Sequence, residues 1–470
     1  MNLAFITCFE KTPIFYKISE QLKDNNNIFW ISPSSYYIKQ LLDNGVTTDK
    51  ILYLDLTQAN NYNVSKEDLE FVEDMQIKTG VSFNSVYYMD RIISNWDYEK
   101  ALRYFTYVVC ESSKFIDKHN IKIITSEITA AHEVLISLVC KYKRKLYAVP
   151  QTIRMPSERF AFFDGIEISK VIPVESEISN DSLENICKKI YDIVTVTKEK
   201  PFYWNQLIKI PKYDLKFVKR CFIKLNESIR LSKNDASVKP LKYQLFVEKK
   251  YLKPFKSFIL NRKNLFSKPD YLNEKYIIFT LHKQPESSVD VLGIKYNNQI
   301  ETIRRLSKFV PSNTKIYVKE HSLAFGERNK GYLEEISKIP GVVMVDPYMD
   351  TLELAKHAEL IVTITGTIAY EAGIMGLKAV TLIDMYFSKL STVKYIKSEN
   401  DIGEALMSNV VHDKLNDIKH IKENILKYSF EGLVGDALNS PASISEKNIS
   451  NMKYAFEKLI SYVEGNDNYA

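Results

Sequence analysis

The sequence predicts an α/β protein with two doubly wound domains, and three observations lead there. Short, β-rich apolar runs alternate with helical patterns twice over, before residue 150 and again after residue 275, as parallel sheets covered by helices require. Between them, residues 211–268 hold sixteen Lys/Arg against four Asp/Glu, so a net +12 sits in one block while the whole chain is only +6. Eleven of the fourteen glycines follow residue 290, which concentrates the tight turns that let backbone approach a ligand in the later domain.

In the first domain the strand LAFIT from Leu3 is followed by a helical stretch from Pro13 to Leu22, then NIFWIS, a helix over Tyr36–Leu42, and KILYLDL. A long helical region is expected from Glu67 to His119. The sheet pattern then resumes with IKIITSE (Ile121–Glu127), a helix from Thr129, and KLYAVP ending at Pro150. In the basic block, aromatic residues such as Tyr213, Phe217, Phe222, Phe246, Phe255 and Phe258 recur at spacings that suit amphipathic helices. The second domain starts with KYIIFTL (Lys275–Leu281) and continues through a helix over Gln299–Phe309, TKIYVKE, a helix over Gly331–Ile339 and VVMVD. A helix over Thr351–Ala358, LIVTIT, a helix from Ile368 and AVTLID complete it, and a helix over Glu446–Val463 closes the chain.

Composition excludes several classes. The 470 residues are 45% apolar and 26% charged, which is ordinary for a folded protein and too apolar for a disordered one. Cys8, Cys110, Cys140, Cys187 and Cys221 are widely spaced with no CxxC pair, which argues against a disulfide framework or a structural zinc site and implies a reducing compartment. No run reaches the ~18 apolar residues of a membrane span, and MNLAFITCFEKTP lacks the features of a signal peptide. The expectation is a cytoplasmic protein, with attachment to the membrane's inner face open. The basic block admits three readings: an anionic membrane surface or lipid-linked glycan, nucleic acid, or a solvated helical insertion. No RNA- or DNA-binding module accompanies the charge, so nucleic acid is not expected as a partner.

The strongest local signal is LIVTITGTIAYEAGIMGLKAVTL, Leu360–Leu382. A buried strand ends in Thr365-Gly366-Thr367 and a helix starts at once, so its free N–H groups and two hydroxyls form an anion site suited to phosphate. Glu371 lies one turn further in, where a carboxylate can accept from a ribose diol. The plain alternative is a threonine N-cap with a helix-stabilising glutamate. Two more polar strand ends accompany it: Lys319 and His321 in TKIYVKEHS, and His282, Gln284 and Glu286 in FTLHKQPES. Ligands of open α/β sheets bind beyond the carboxyl ends of strands, so these three ends can converge. Lys319 and His321 are suited to neutralising a phosphate or carboxylate, and Gln284 and Glu286 to hydrogen-bonding a sugar or base. A structural role is the alternative for each histidine.

These residues resemble the bacterial capsule polysaccharide biosynthesis family, which includes Kdo transferases of the GT-B type. The resemblance rests on LHKQPESS, KEHS, DPYMDTLELAKHAELIVTITGTIAYEAGIMGLKAV and, more faintly, RMPSERFAFFDG from Arg154 to Gly165; where the family usually has His-Pro, this chain has His321-Ser322. It implies a GT-B-like fold of two facing Rossmann-like domains. The boundaries would be an acceptor domain over 1–205, a basic aromatic helical linker over 206–270, a nucleotide-sugar domain over 271–430, and helices over 431–470 packing back on the first domain. Carried onto this chain, it makes His282, Gln284, Glu286, Lys319, His321, Thr365, Gly366, Thr367 and Glu371 the donor site. No cofactor and no metal is expected, and there is no DxD motif.

The catalytic carboxylate is expected from the first domain, across the crevice from the donor. Glu127, ending IKIITSE, is the first candidate and Asp164, in FFDG, the second, with helix N-terminal charge and a turn role as the respective alternatives. Arg154 and Arg159 flank MPSE as a clamp for an anionic acceptor or as surface arginines, and His132 is a candidate acceptor contact or a capping residue. The function these residues suggest is a glycosyltransferase that adds a sugar, with a CMP-activated acidic sugar preferred, to a growing bacterial surface polysaccharide or its lipid-linked precursor. The rivals are a CDP-polyol phosphotransferase of the teichoic acid type and a non-catalytic nucleotide-sugar-binding scaffold.

Overall fold

The computed structural model describes residues 1–197, 212–231, 235–238, 240–437, 440–466 and 469. Two sheets organise the chain. In the first, β1 (Asn2–Ile6), β2 (Asn27–Ser32), β3 (Ile51–Tyr53), β4 (Ile123–Thr125) and β5 (Leu146–Thr152) run parallel in the spatial order β3-β2-β1-β4-β5. The second is parallel throughout: β7 (Tyr276–Thr280), β8 (Lys315–Lys319), β9 (Val342–Val345), β10 (Leu360–Thr363), β11 (Ala379–Thr381) and β12 (Val393–Tyr395) take the order β9-β8-β7-β10-β11-β12. Both orders reverse after the first strand, which is the Rossmann-like arrangement the alternating pattern predicted. Strands flanked by helices on both faces need continuous apolar runs, and Leu3 to Ile6 and Tyr276 to Phe279 are all fully buried.

The first sheet does not end at β5. β6 (Arg159–Asp164) turns back antiparallel along it, and β13 (Ser429–Glu431), 265 residues later, pairs antiparallel with β6 as the seventh strand. The chain has therefore returned to the first sheet by Ser429, just ahead of the expected boundary. Arg159 holds this junction: it is buried, its Nε donates to Ser429 Oγ at 2.9 Å, and its Nη2 donates to the Ser429 carbonyl. Arg159, expected in the acceptor clamp, is thus a strand fastener, because β13 arrives beside β6 and gives the guanidinium Ser429 as its partner. The closing helix, Glu446–Glu464, lies under the same sheet and buries Ile449, Met452, Phe456, Leu459 and Val463, a three-and-four spacing that makes one stripe. Phe456 meets Phe162 at 5.1 Å and Phe5 at 6.0 Å between ring centroids.

The helical region expected over Glu67–His119 is three helices, Lys66–Thr79, Phe83–Met89 and Tyr98–Lys118. Gly80, at φ +75°, ends the first in the left-handed region, and the side chains of Ser82 and Asp97 cap the next two. In the basic block the described helices include Leu215–Leu231 and Lys253–Arg262. The latter docks on the second domain, where Lys253 Nζ donates to the Leu323 carbonyl at 2.6 Å and to Glu327 at 2.7 Å. Parts of the expected linker, residues 206–211, 232–234 and 239, lie outside the described residues, as do 198–205 of the expected first domain. No helix among the described residues is long and apolar enough to cross a membrane.

Truncating Phe456 to Ala removes the ring that joins the closing helix to the sheet. The expected cost is about 3–5 kcal/mol of stability, read as a lower urea midpoint. An unchanged midpoint would show that the helix does not stabilise the first domain.

Candidate functional site

The carboxyl ends of the second sheet face the β5–β6 turn of the first, and a crevice of about 570 Å³ opens between them, within the range of small-molecule sites. The second-domain bank carries His282, Lys283 and Glu286 after β7, Lys319 to Leu323 after β8, and Thr365 to Ile368 with Glu371 after β10. Arg154 to Glu158 and Lys189 form the other bank. Of the expected donor-site residues, the structure brings together His282, Glu286, Lys319, His321, Thr365, Gly366, Thr367 and Glu371.

β7 and β10 are neighbours where the strand order reverses, and His282 bridges their ends. The Thr365 backbone N–H donates to His282 Nε2 at 3.3 Å, so that nitrogen is an acceptor and the ring proton belongs on Nδ1. The ring is buried, and it also hydrogen-bonds the Thr280 backbone. Burial, then the charges of His321 and Arg328, push the His282 pKa down to about 3, so the ring is neutral. His321 is held down to about 4, by burial first and then by the Lys283 and Lys319 ammoniums. These histidines present neutral rings, and the positive charge expected of His321 comes instead from its neighbours. Lys319 is itself buried and donates to the Pro347 carbonyl at 2.8 Å.

A buried ion pair sets the bank. Glu320 is fully buried and Arg328 nearly so; Arg328 Nε and Nη2 each donate to one Glu320 oxygen at 2.9 Å. The same Nη2 donates to the His282 carbonyl at 2.5 Å, and Glu320 Oε1 accepts from the His321 backbone N–H at 2.7 Å. The pair thereby ties the ends of β7 and β8 together. Sequence reasoning missed both residues. The available signal is Glu320 itself, a carboxylate inside KEHS that is pinned at a strand end and needs a buried cation.

The Thr365-Gly366-Thr367 turn is built around Gly366. Its N–H donates to Thr363 Oγ1 at 3.1 Å, and a Cβ at residue 366 would meet that oxygen at 2.4 Å, so only glycine fits. Thr365 donates its hydroxyl to the Ser288 carbonyl at 3.0 Å. Thr367 stands at the N-cap of the helix Ile368–Met375 but makes no side-chain capping bond. Thr367, Ile368 and Glu371 of that helix line the same crevice.

On the opposite bank, Arg154 takes a left-handed backbone conformation at φ +72°. The preceding carbonyl, of Ile153, accepts from the buried Tyr386 hydroxyl of the second domain at 2.6 Å, which fixes the turn across the domain boundary. The Arg154 charge acts on Glu286, His282 and Lys11. Glu286 opens onto the crevice yet is ringed by protein. That enclosure raises its carboxyl above the usual range, against the pull of Arg154 and Lys283. Glu158 is paired with Lys189.

Several expected residues are elsewhere. Gln284 spends its amide inside the fold: its nitrogen donates to Asp290 at 2.8 Å and to the Asn297 carbonyl at 2.9 Å, and its oxygen accepts from Gln299 at 2.7 Å. Asp164 ends β6, which runs antiparallel to β5, and pairs with Ala148 near the start of β5. It therefore sits at the edge of the sheet opposite the crevice. Glu127 stands at the carboxyl edge of the first sheet as expected, but it pairs with Lys11, accepts from Cys8 Sγ at 3.3 Å and does not line the crevice. The loop carrying it is shaped by Glu133, which is buried and accepts from Ser126 Oγ, the Thr129 N–H and hydroxyl, and the Ala130 N–H at 2.7–3.0 Å. His132 is buried beside it in the first domain and is also absent from the crevice. Among the described residues no group of three or more His, Cys, Asp or Glu could hold a metal ion.

No family model and no curated protein matches the chain. Similar solved structures include two from Thermosulfurimonas dismutans, the KpsC β-Kdo 2,7 transferase and β-Kdo 2,4 transferase. The first is 12% identical over 75% of this chain and 89% of that one, at a TM-score of 0.32. The second is 13% identical over 73% and 87%, at 0.33. The UDP-GlcNAc 2-epimerase of Methanocaldococcus jannaschii, solved with UDP-GlcNAc and UDP, is 14% identical over 91% of this chain and 100% of that one, at 0.26.

The neutral histidines make the protein acid-sensitive. Below pH 6.5 the unfolded chain takes up a proton that folded His282 refuses until about pH 3, so the stability it contributes is complete above 6.5 and lost as pH falls. At pH 5 the loss from this residue is about 2 kcal/mol. His282→Gln should flatten the drop in urea midpoint between pH 7 and pH 5, and equal drops in variant and parent would show that His282 is not held neutral.

Proposed function

We propose that the crevice binds a nucleotide sugar through its phosphate, and that the protein is a glycosyltransferase adding a sugar to a bacterial surface polysaccharide. The observation that carries this reading is the convergence at the strand-order reversal of the second sheet: the buried neutral ring of His282, the Thr365-Gly366-Thr367 turn and a helix N-terminus without a side-chain cap. Helix N–H groups suit a phosphate oxygen, and the glycine lets the backbone approach it. Arg154, Lys283 and Lys319 supply positive charge around them, which also suits the carboxylate of an acidic sugar on a CMP carrier. Glu371, one turn along, is placed for the ribose hydroxyls.

Glu286 takes the catalytic role first assigned to Glu127 or Asp164, since neither of those lines the crevice. With its carboxyl raised, ionised Glu286 is a stronger base than an ordinary glutamate. It accepts the acceptor hydroxyl's proton as that oxygen bonds to the sugar carbon. The bond from that carbon to the phosphate breaks, and the leaving phosphate gains charge against the helix N-terminus and Arg154.

The basic block supports a second part of the reading, placement on an anionic membrane. Among the described residues, twelve of the twenty-six exposed large hydrophobic side chains fall within residues 211–268, among them Leu215 at 87%, Phe222 at 69% and Phe246 at 67%. Exposed apolar and lysine side chains on the same short helices match the interface of an anionic bilayer, where a lipid-linked acceptor would be held.

Thermal shifts against CMP, CDP, UDP and GDP test the first part. One nucleotide should raise the melting temperature, and Glu371→Ala should weaken its binding about tenfold while Glu286→Gln leaves binding intact and abolishes transfer. No shift with any of the four would remove the nucleotide reading. Flotation with vesicles tests the second part: the protein should partition with phosphatidylglycerol-containing vesicles and not with pure phosphatidylcholine, and a Leu215→Ser, Phe222→Ser double variant should lose that partitioning. Equal partitioning to both vesicles would leave the block as a solvated insertion.

A further inference from the structure

The basic block lays one helix, Lys253–Arg262, against the loop that follows β8, and the start of that loop carries Glu320 to Leu323 into the crevice. Besides the two bonds from Lys253 Nζ, Ser257 Oγ donates to the Phe325 carbonyl at 3.3 Å and Lys256 Nζ to the Arg328 carbonyl at 3.4 Å. Gly326 lets the helix come this close. A Cβ there would stand 2.2 Å from Ser257 Oγ and 2.8 Å from the Lys253 carbonyl oxygen, at a backbone φ of +82°. The insertion is therefore built onto the loop, through one face of the helix.

This contact reaches a crevice residue through one carboxylate. Glu327, its side chain 12% exposed, has Lys253 Nζ 2.7 Å from one oxygen and Lys283 Nζ 3.9 Å from the other. Lys283 lines the crevice, and Lys253 does not. Enclosure works to raise the Glu327 carboxyl, but the charges of Lys283 and Lys253, with Lys250 behind them, hold it below the usual range, so it is ionised. A carboxylate so enclosed needs a cation at hydrogen-bonding distance. Lys253 fills that place, fixed there by its second bond, to the Leu323 carbonyl. At 3.9 Å, Lys283 is beyond the length of a hydrogen bond. Glu327 thus stands between two ammoniums, bonded to the one outside the crevice and only near the one inside.

We propose that Lys253 is a positioning residue of the crevice: by satisfying Glu327 it keeps that carboxylate from capturing Lys283, whose ammonium stays available to ligand. Without Lys253, Glu327 closes on Lys283 and takes a cation out of the crevice. The inference rests on the phosphate reading only for what Lys283 then meets, a phosphate oxygen.

The test uses the full chain and reads the reactivity of the Lys283 amine by trace acetylation with acetic anhydride and peptide mass spectrometry, with no ligand present. An ammonium drawn against a carboxylate gives up its proton less readily, so Lys253→Met should slow Lys283 acetylation about threefold. A helix merely shaken loose would bare the amine and speed it. Adding Glu327→Gln to Lys253→Met should return the rate to the parent's or above it, and Glu327→Gln alone, which leaves Lys253 its bond to Leu323, should also speed it. Lys256→Met removes an equal charge from the same helix without touching Glu327 and should leave the rate unchanged. Inorganic phosphate should protect Lys283 in the parent, and about fivefold more should be needed for equal protection in Lys253→Met, the scale of one partly exposed charge contact. Unslowed acetylation in Lys253→Met, no recovery in the double variant, no acceleration in Glu327→Gln, or equal slowing in Lys256→Met would each overturn the inference. A parent in which phosphate leaves Lys283 unprotected would instead remove the phosphate reading, while the ligand-free rates still decide the role of Lys253.

Discussion

The Glu320–Arg328 pair is the interaction on which the crevice depends. Two charges almost wholly removed from water are held only because the guanidinium meets both carboxylate oxygens and spends a remaining N–H on the His282 carbonyl. Such a pair adds little to stability compared with a well-packed apolar substitute, but losing one partner leaves a buried charge unmatched, at about 3–5 kcal/mol. Its contribution here is geometric. It fixes the end of β7 against the end of β8, and with them the backbone of His282 and His321. His282 then carries the constraint to the end of β10 through Thr365. Three loops that sequence separates by up to 83 residues move as one wall.

The opposite bank is held less by charge than by chain crossing. Tyr386 reaches from the second domain to the carbonyl of Ile153, beside the left-handed Arg154, and β13 brings the chain back to the outer edge of β6. The β5–β6 turn that carries Arg154 and Glu158 is therefore gripped from two sides. That accounts for an arginine held in a backbone conformation that costs a non-glycine residue about 1 kcal/mol.

Much of this architecture was legible in the sequence because parallel strands buried on both faces advertise themselves as unbroken apolar runs. The strand ends could be read for the same reason: His282, His321 and Thr365 each follow such a run by one or two residues. What could not be read was direction and partnership. Asp164 looks like any carboxylate after a strand, yet β6 runs backwards and carries it to the far edge. Gln284 is one residue from crevice-lining Lys283 and Glu286, but local hydrogen bonds to Asp290, Asn297 and Gln299 absorb it. Arg159 sits in the same motif as Arg154, and only the arrival of β13 from far along the chain shows that it faces a strand. The His321 charge was misjudged because the ring is kept neutral first by burial, which only the assembled fold supplies, and then by the ammoniums of Lys283, on another loop, and Lys319.

The late arrival of β13 also bears on biosynthesis. When β6 leaves the ribosome its outer edge has no neighbour, and about 265 residues separate Asp164 from Ser429, so at typical translation rates the edge waits on the order of tens of seconds. Phe160 and Phe162, whose rings later pack on Phe430, are meanwhile short of the partners that cover them. An unpaired strand with apolar side chains is an adhesive template. The nascent first domain thus has a window of vulnerability that closes only when the C-terminal segment emerges, and chaperone demand should be set by that delay and not by the size of either domain.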